Sequence, residues 1–326
     1  MSTYQELKGL KVKYLSSDTS GDRIKEGEVF YNSTDFNLKA FVATAAWHSS
    51  GPLNTARKYL AGCGTQTSAL AFGGNTGSTT ASTEEYNGSG FSAGGDLGTA
   101  RKYLAGCGTQ TAGLAFGGYV STQIGNTEEY NGSSWSEQND LSTVRKGLAG
   151  AGTQTAGLAF GGHDGSMLTN TEHYNGSSWT NGGALSTGRR YLAGAGTNTA
   201  ALAFGGRAPG NTDSTEEYDG SSWTAGGSLN NSRGYLAGAG IQTSALAFGG
   251  YNNKNNTEQY NGTSWATTST MATGRESLAG GGSSNTSAVA FGGNTTAVQS
   301  LTEEFTVSLS ATSGIAWSSG GNLNTA

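Results

Sequence analysis

Residues 145–181 read RKGLAGAGTQTAGLAFGGHDGSMLTNTEHYNGSSWTN, and this stretch decides the fold. Residues 147–152 carry small side chains and read as one short strand. Thr153-Gln154-Thr155 reads as the turn that reverses it. Residues 157–162 read as a second strand and, after a loop, 171–174 as a third. Asn175-Gly176 then signals a tight hairpin, in whose type I′ turn both central residues take positive φ. Residues 178–180 follow as a fourth strand. No segment sustains a helical period.

The same phrase returns along the chain. Phe-Gly-Gly recurs at Phe72, Phe116, Phe160, Phe204, Phe248 and Phe291, with a step of 44 that falls once to 43. Arg57, Arg101, Arg145, Arg189, Arg233 and Arg275 keep the same register. Four short strands in units of this length are the mark of a β-propeller. The expectation is all-β: a six-bladed propeller over residues 45–326 behind a short β-rich arm, 1–44, with strands near 10–14, 27–31 and 38–42. Trp47 precedes Arg57 by ten residues, as Trp179 precedes Arg189. Residues 45–49 are therefore predicted to supply the fourth strand of the sixth blade and close the ring. Residues 316–326 (AWSSGGNLNTA) copy 46–56 (AWHSSGPLNTA), and both cannot fill one slot. The arm enters its fourth strand at the end where the Asn-Gly turns lie, so it is expected on the face opposite the second-to-third loops.

Composition narrows the class. The chain holds 55 glycines but only 2 prolines in 326 residues, without a Gly-X-Y register, which excludes collagen. Aromatic residues at 10% argue against simple disorder. The net charge is −5 and there is no Lys/Arg run, so nucleic acid is not an expected partner. No apolar stretch reaches the roughly 20 residues of a membrane span, and the N-terminus lacks an apolar signal core. A protein made in a cytoplasm is expected.

An apolar strand ending in Phe160-Gly161-Gly162, then Tyr174, then Trp179 resembles a kelch repeat, over about residues 47–317. The period is shorter than the usual kelch value of about 50, and Phe91 stands for Trp in the first unit. The arm, with GEVFYNST at 27–34, resembles short modules of bacteriophage virion and tail proteins. The Thr-Glu-Glu-Tyr-Asn-Gly-Ser-Ser-Trp repeats look like those of marine phage structural proteins. This resemblance implies a virion protein, tail-fibre-like or on the capsid surface, with residues 1–44 contacting other virion proteins and the propeller meeting a host-surface glycan or protein. A homo-oligomer fits the same reading. The rivals are a purely structural decoration protein without ligand and a carbohydrate-active propeller enzyme.

Candidate sites fall mostly to structural readings. The six arginines read as anchors to a carbonyl or to a Glu of the Thr-Glu strand rather than an anion-binding ring. Glu84-Glu85 and its copies do not read as a glycosidase pair, because neighbours on a strand point to opposite faces. No catalytic residue is expected. His163, Asp164 and His173 are weak grounds for a metal, and neither metal nor cofactor is expected. Cys63 and Cys107 stand where later units have Ala or, in the last, Gly281, so they read as reduced packing residues. The sequons, as at Asn175, follow from turn chemistry. The second-to-third loops vary most between units, and just after Gly-Gly they carry Tyr119, His163, Arg207 and Tyr251. These four are the candidate ligand-binding residues, since specificity usually lives on loops held by a rigid scaffold.

Overall fold

The computed structural model describes residues 13–15, 29–32, 34 and 37–313. By contacts the chain forms two units, one of Met1–Ala45 with Val307–Ala326 and one of Ala46–Thr306. In the first, Lys13–Leu15 pairs in parallel with Val29–Asn32, which pairs antiparallel with the start of Asn37–Ser50. The expected strands near 10–14 and 27–31 lie partly outside the described residues. The C-terminal copy at 316–326, with Trp317, lies wholly outside them.

The second unit is a six-bladed β-propeller of antiparallel sheets. The third blade consists of Ala149–Thr153, Ala156–Phe160, Thr171–Tyr174 and Trp179–Asn181, paired in that order. The sixth takes Ala279–Ser284, Ser287–Phe291, the start of Thr302–Ser313 and, as its fourth strand, the end of Asn37–Ser50. Trp47 lies 5.2 Å from Phe305 of that blade and 5.2 Å from Phe248 of the fifth. Its indole N–H donates to Thr257 Oγ1, as Trp179 donates to Thr127 Oγ1 one blade back. The N-terminal strand thus closes the ring, as the ten-residue spacing predicts.

Aromatic side chains hold blade to blade. The six Phe-Gly-Gly phenylalanines are fully buried. Each meets the fourth-strand aromatic of the next blade, as in Phe160 against Trp223 at 5.0 Å. Glycine in the inner strand makes room: a Cβ on Gly194 would sit 2.6 Å from Phe160 Cζ.

Two local expectations need correction. The second strand stops at Phe160, short of Gly161-Gly162. Those glycines take φ of 66° and 107°, and Gly162 N–H donates to Arg189 O of the next blade. They pass under the following linker, where a Cβ on Gly161 would meet Arg189 O at 2.8 Å. The Asn-Gly connection is not a two-residue type I′ turn. Tyr174 pairs with Trp179, so the loop is the four residues 175–178. Only Gly176 has positive φ. Asn175 Oδ1 instead accepts the N–H groups of Ser177 and Ser178, an Asx turn in which side-chain chemistry replaces a left-handed backbone.

Candidate functional site

The six arginines are structural. Arg145 is fully buried and pairs with Glu172 at 3.0 Å, and each of the other five makes the same pair within its blade. Arg145 also donates to Asn170 O and Ala159 O. Glu172 accepts the N–H groups of Ser142 and Thr143, tying down the linker that enters the blade. The second carboxylate of each pair serves a different contact. Tyr130 donates to Glu85, and Tyr174 to Glu129, each across a blade junction. Burial, then the Glu85 bond, pushes the Tyr130 hydroxyl up to about 12. At one junction His173 Nε2 replaces the carboxylate opposite the Tyr218 hydroxyl. At another the aromatic is Phe305, which has no hydroxyl, and the residue in the carboxylate's place is Gln259. Gln259 donates to Asn285 O instead.

His163 and His173 therefore do different work: one engages Tyr218, and the other pairs through its backbone with Lys146 on the rim described below. Among the described residues no cluster of metal-ligating side chains is present. Cys63 and Cys107 are buried free thiols, and burial pushes Cys63 up to about 12. That makes them poor nucleophiles.

The two residues after each arginine build a collar around the axis, which sequence reading passed over. Tyr59, Tyr103, Gly147, Tyr191, Tyr235 and Ser277 hold equivalent positions, all with φ between 56° and 62°. Their backbones form a closed circle. Each N–H donates to the carbonyl of the preceding member, and Tyr59 N–H donates to Ser277 O, at 2.7–2.9 Å. This left-handed backbone is why the first strand starts at Ala149 and not at 147. Tyrosine takes that conformation at a cost, and strain of this kind collects at functional sites. The rings stack in two pairs. Tyr191 and Tyr235 lie 4.0 Å apart, and Tyr59 and Tyr103 4.2 Å apart. Gly147 and Ser277 separate the pairs on opposite sides of the circle. The collar and the six leucines that follow it in sequence line an open cavity of about 80 Å³.

Outside the collar sits a second circle: Lys58, Lys102, Lys146, Arg190, Gly234 and Glu276. Four of its members, Lys102, Lys146, Arg190 and Gly234, accept the backbone N–H of Tyr119, His163, Arg207 and Tyr251 respectively. The four candidate residues therefore stand side by side on the rim of one face. Their loops vary in sequence but little in backbone. Tyr119 bridges Gln123, His163 bridges Met167 and Arg207 bridges Asn211, each closing the same small hairpin. The fifth-blade loop departs, with positive φ at Asn252 and Asn253. Cations lie over aromatic faces between blades: Lys146 Nζ is 4.0 Å from the Tyr119 ring centre, and Arg207 is 5.4 Å from that of Tyr251. Burial and the nearby Arg190 and Lys102 charges lower the Lys146 pKa. Burial, then Arg190 and Lys146, lower that of His163.

No protein-family model matches the chain, and no curated protein matches it.

Proposed function

We propose that the chain is a non-enzymatic virion protein of a phage, tail-fibre-like or on the capsid surface, whose kelch-like propeller binds a host-surface glycan or protein. The observation that carries this reading is the rim. Its loop backbone repeats in five of the six blades, while the residue after Gly-Gly changes from Asn75 to Tyr119, His163, Arg207, Tyr251 and Asn294 around the ring. The opposite face, with Thr-Gln-Thr and Asn-Gly-Ser-Ser turns, repeats nearly unchanged in both. A scaffold that is uniform in backbone and varied in side chains on one face suits recognition. Binding without chemistry is favoured because the paired glutamates are consumed in ion pairs and tyrosine bonds. In this reading residues 1–44 hold the protein to other virion proteins.

The test has two parts. Antibody labelling should place the protein on intact virions. The purified chain should compete with virions for adsorption to host cells, and the Tyr119→Ala, Tyr251→Ala double variant should compete less well while keeping its melting curve. A chain that is present on virions but never competes would be a decoration protein without ligand.

A further inference from the structure

We propose that the rim of blades one to four is an anion subsite for a carboxylate-bearing sugar; this rests on reading that face as the binding face. Five cations, Lys58, Lys102, Lys146, Arg190 and Arg207, gather on the rim, and none forms an ion pair among the described residues. Every arginine of the interior has its carboxylate, so the lack of one here is specific to the rim. Lys102, Lys146 and Arg190 lie close enough to repel one another, and His163 shares their field. This repulsion, offset at His163 by Asp164, is relieved by a bound anion.

Buried polar atoms on the rim and at the axis add to this. Nδ1 of His163 is buried with no hydrogen-bond partner, as are the Nε atoms of Arg190 and Arg207; an unpartnered Nε is shared with the six interior arginines, so His163 Nδ1 is the atom that distinguishes the rim. Ser277, only 6% exposed, lines the axial cavity and its Oγ is unpartnered too. Tyr119 and Tyr251 hold Lys146 and Arg207 over their ring faces, so the cations are placed before a ligand arrives. Tyr119 is thus a positioning residue.

The charge balance selects a short ligand. The chain carries −5 overall and the five rim cations contribute +5, so the remainder carries −10. An extended polyanion such as nucleic acid would run from the rim into repulsion. The cations also cover only part of the circle, since its remaining positions are Gly234 and Glu276. A sugar whose carboxylate meets Lys146 and Arg190, with a hydroxyl toward His163 Nδ1, matches both the charge and that unpartnered atom.

The experiment is calorimetric titration of the full chain with a galacturonate dimer, its methyl ester and inorganic phosphate. The acid should bind, with phosphate as a weak competitor, and the methyl ester should bind at least tenfold more weakly. Lys146→Ala with Arg190→Ala should cost tenfold or more, and raising the salt from about 50 to 500 mM should weaken binding, because exposed charges are screened over a few ångströms at the higher value. Tyr119→Phe, which keeps the ring under Lys146, should bind as the wild type does, while Tyr119→Ala should lose several-fold. Equal binding of acid and ester, or an unaffected double cation variant, overturns the subsite. Lack of any acid binding by a chain that still competes for host adsorption overturns the subsite and leaves the binding-face reading standing. Lack of both overturns the two together.

Discussion

Replacing Arg145 by Met should cost about 3–5 kcal/mol, the range for breaking one partner out of a buried ion pair. Methionine fills much of the arginine's volume, so the loss is electrostatic rather than a cavity. The structure shows what is stranded. Glu172 is fully buried and keeps only the Ser142 and Thr143 N–H groups, at 2.7 and 3.3 Å. Asn170 O and Ala159 O lose their donor. Glu172→Gln alone should cost a similar amount, because it strands the guanidinium instead.

The double variant, Arg145→Met with Glu172→Gln, separates charge from packing. It removes both charges while Gln still offers an oxygen to Ser142 N–H. The pair is also imperfect, since Arg145 Nε is buried without a partner. We therefore expect the double variant to be more stable than the sum of the single losses by about 2 kcal/mol or more, within the usual range for residues in contact. Urea melts followed by both tryptophan fluorescence and circular dichroism supply the values and check for two-state behaviour. A loss below about 1 kcal/mol for Arg145→Met, or strict additivity in the cycle, would refute the argument that these arginines are held for the carboxylate.

Other outcomes follow from the same geometry. Phe160→Ala should lose about 3–5 kcal/mol in urea melts, as a fully buried ring packed on Trp223; a loss under 1 kcal/mol would mean the ring is not core. Gln259→Glu should destabilise on its own, yet be rescued by Phe305→Tyr, which supplies the hydroxyl that four other junctions give their carboxylate; additive single effects would falsify the junction rule. Burial lowers the His173 pKa from its ordinary value near 6.5, so the unfolded chain takes up the proton first. Stability should therefore fall as pH drops through about 6.5 toward the lower folded value, and His173→Gln should reduce that slope of the urea-midpoint profile, leaving the part due to His163.

The fold was legible because the chain states its rule six times. The 44-residue step of Phe-Gly-Gly set the blade count, and the Trp47–Arg57 spacing set the closure, since both report packing that each blade must repeat. Strand ends were less legible. The run of small residues predicts a first strand from 147, but it begins at Ala149, and Asn-Gly predicts a type I′ turn where the Asn side chain closes a four-residue loop. The site was legible only in its outer circle. Tyr119, His163, Arg207 and Tyr251 stood out by variation, whereas the tyrosine collar is built by hydrogen bonds between residues 44 apart, which no local pattern encodes. Tyrosine at positive φ is hidden further, because sequence reading assigns that conformation to glycine. A signal was available: Lys58-Tyr59, Lys102-Tyr103 and Arg190-Tyr191 keep one register beside the buried arginines.

That register also explains why the rim can vary. The buried arginine fixes the linker through its glutamate, and the circle of six N–H···O=C bonds fixes the residues beside it. Both use backbone groups or buried side chains, so neither depends on which side chain projects from the second circle. Lys146, Arg190, Gly234 and Glu276 therefore share one backbone position while differing in charge and size. Exposed substitutions away from buried partners change stability by only a few tenths of a kcal/mol as a rule. The rim side chains can then be altered for a ligand at little cost to folding, and Glu276 in place of a cation shows that the ring closes with either sign of charge there. A propeller that places its repeated chemistry in the interior leaves the side chains of this rim little constrained by folding.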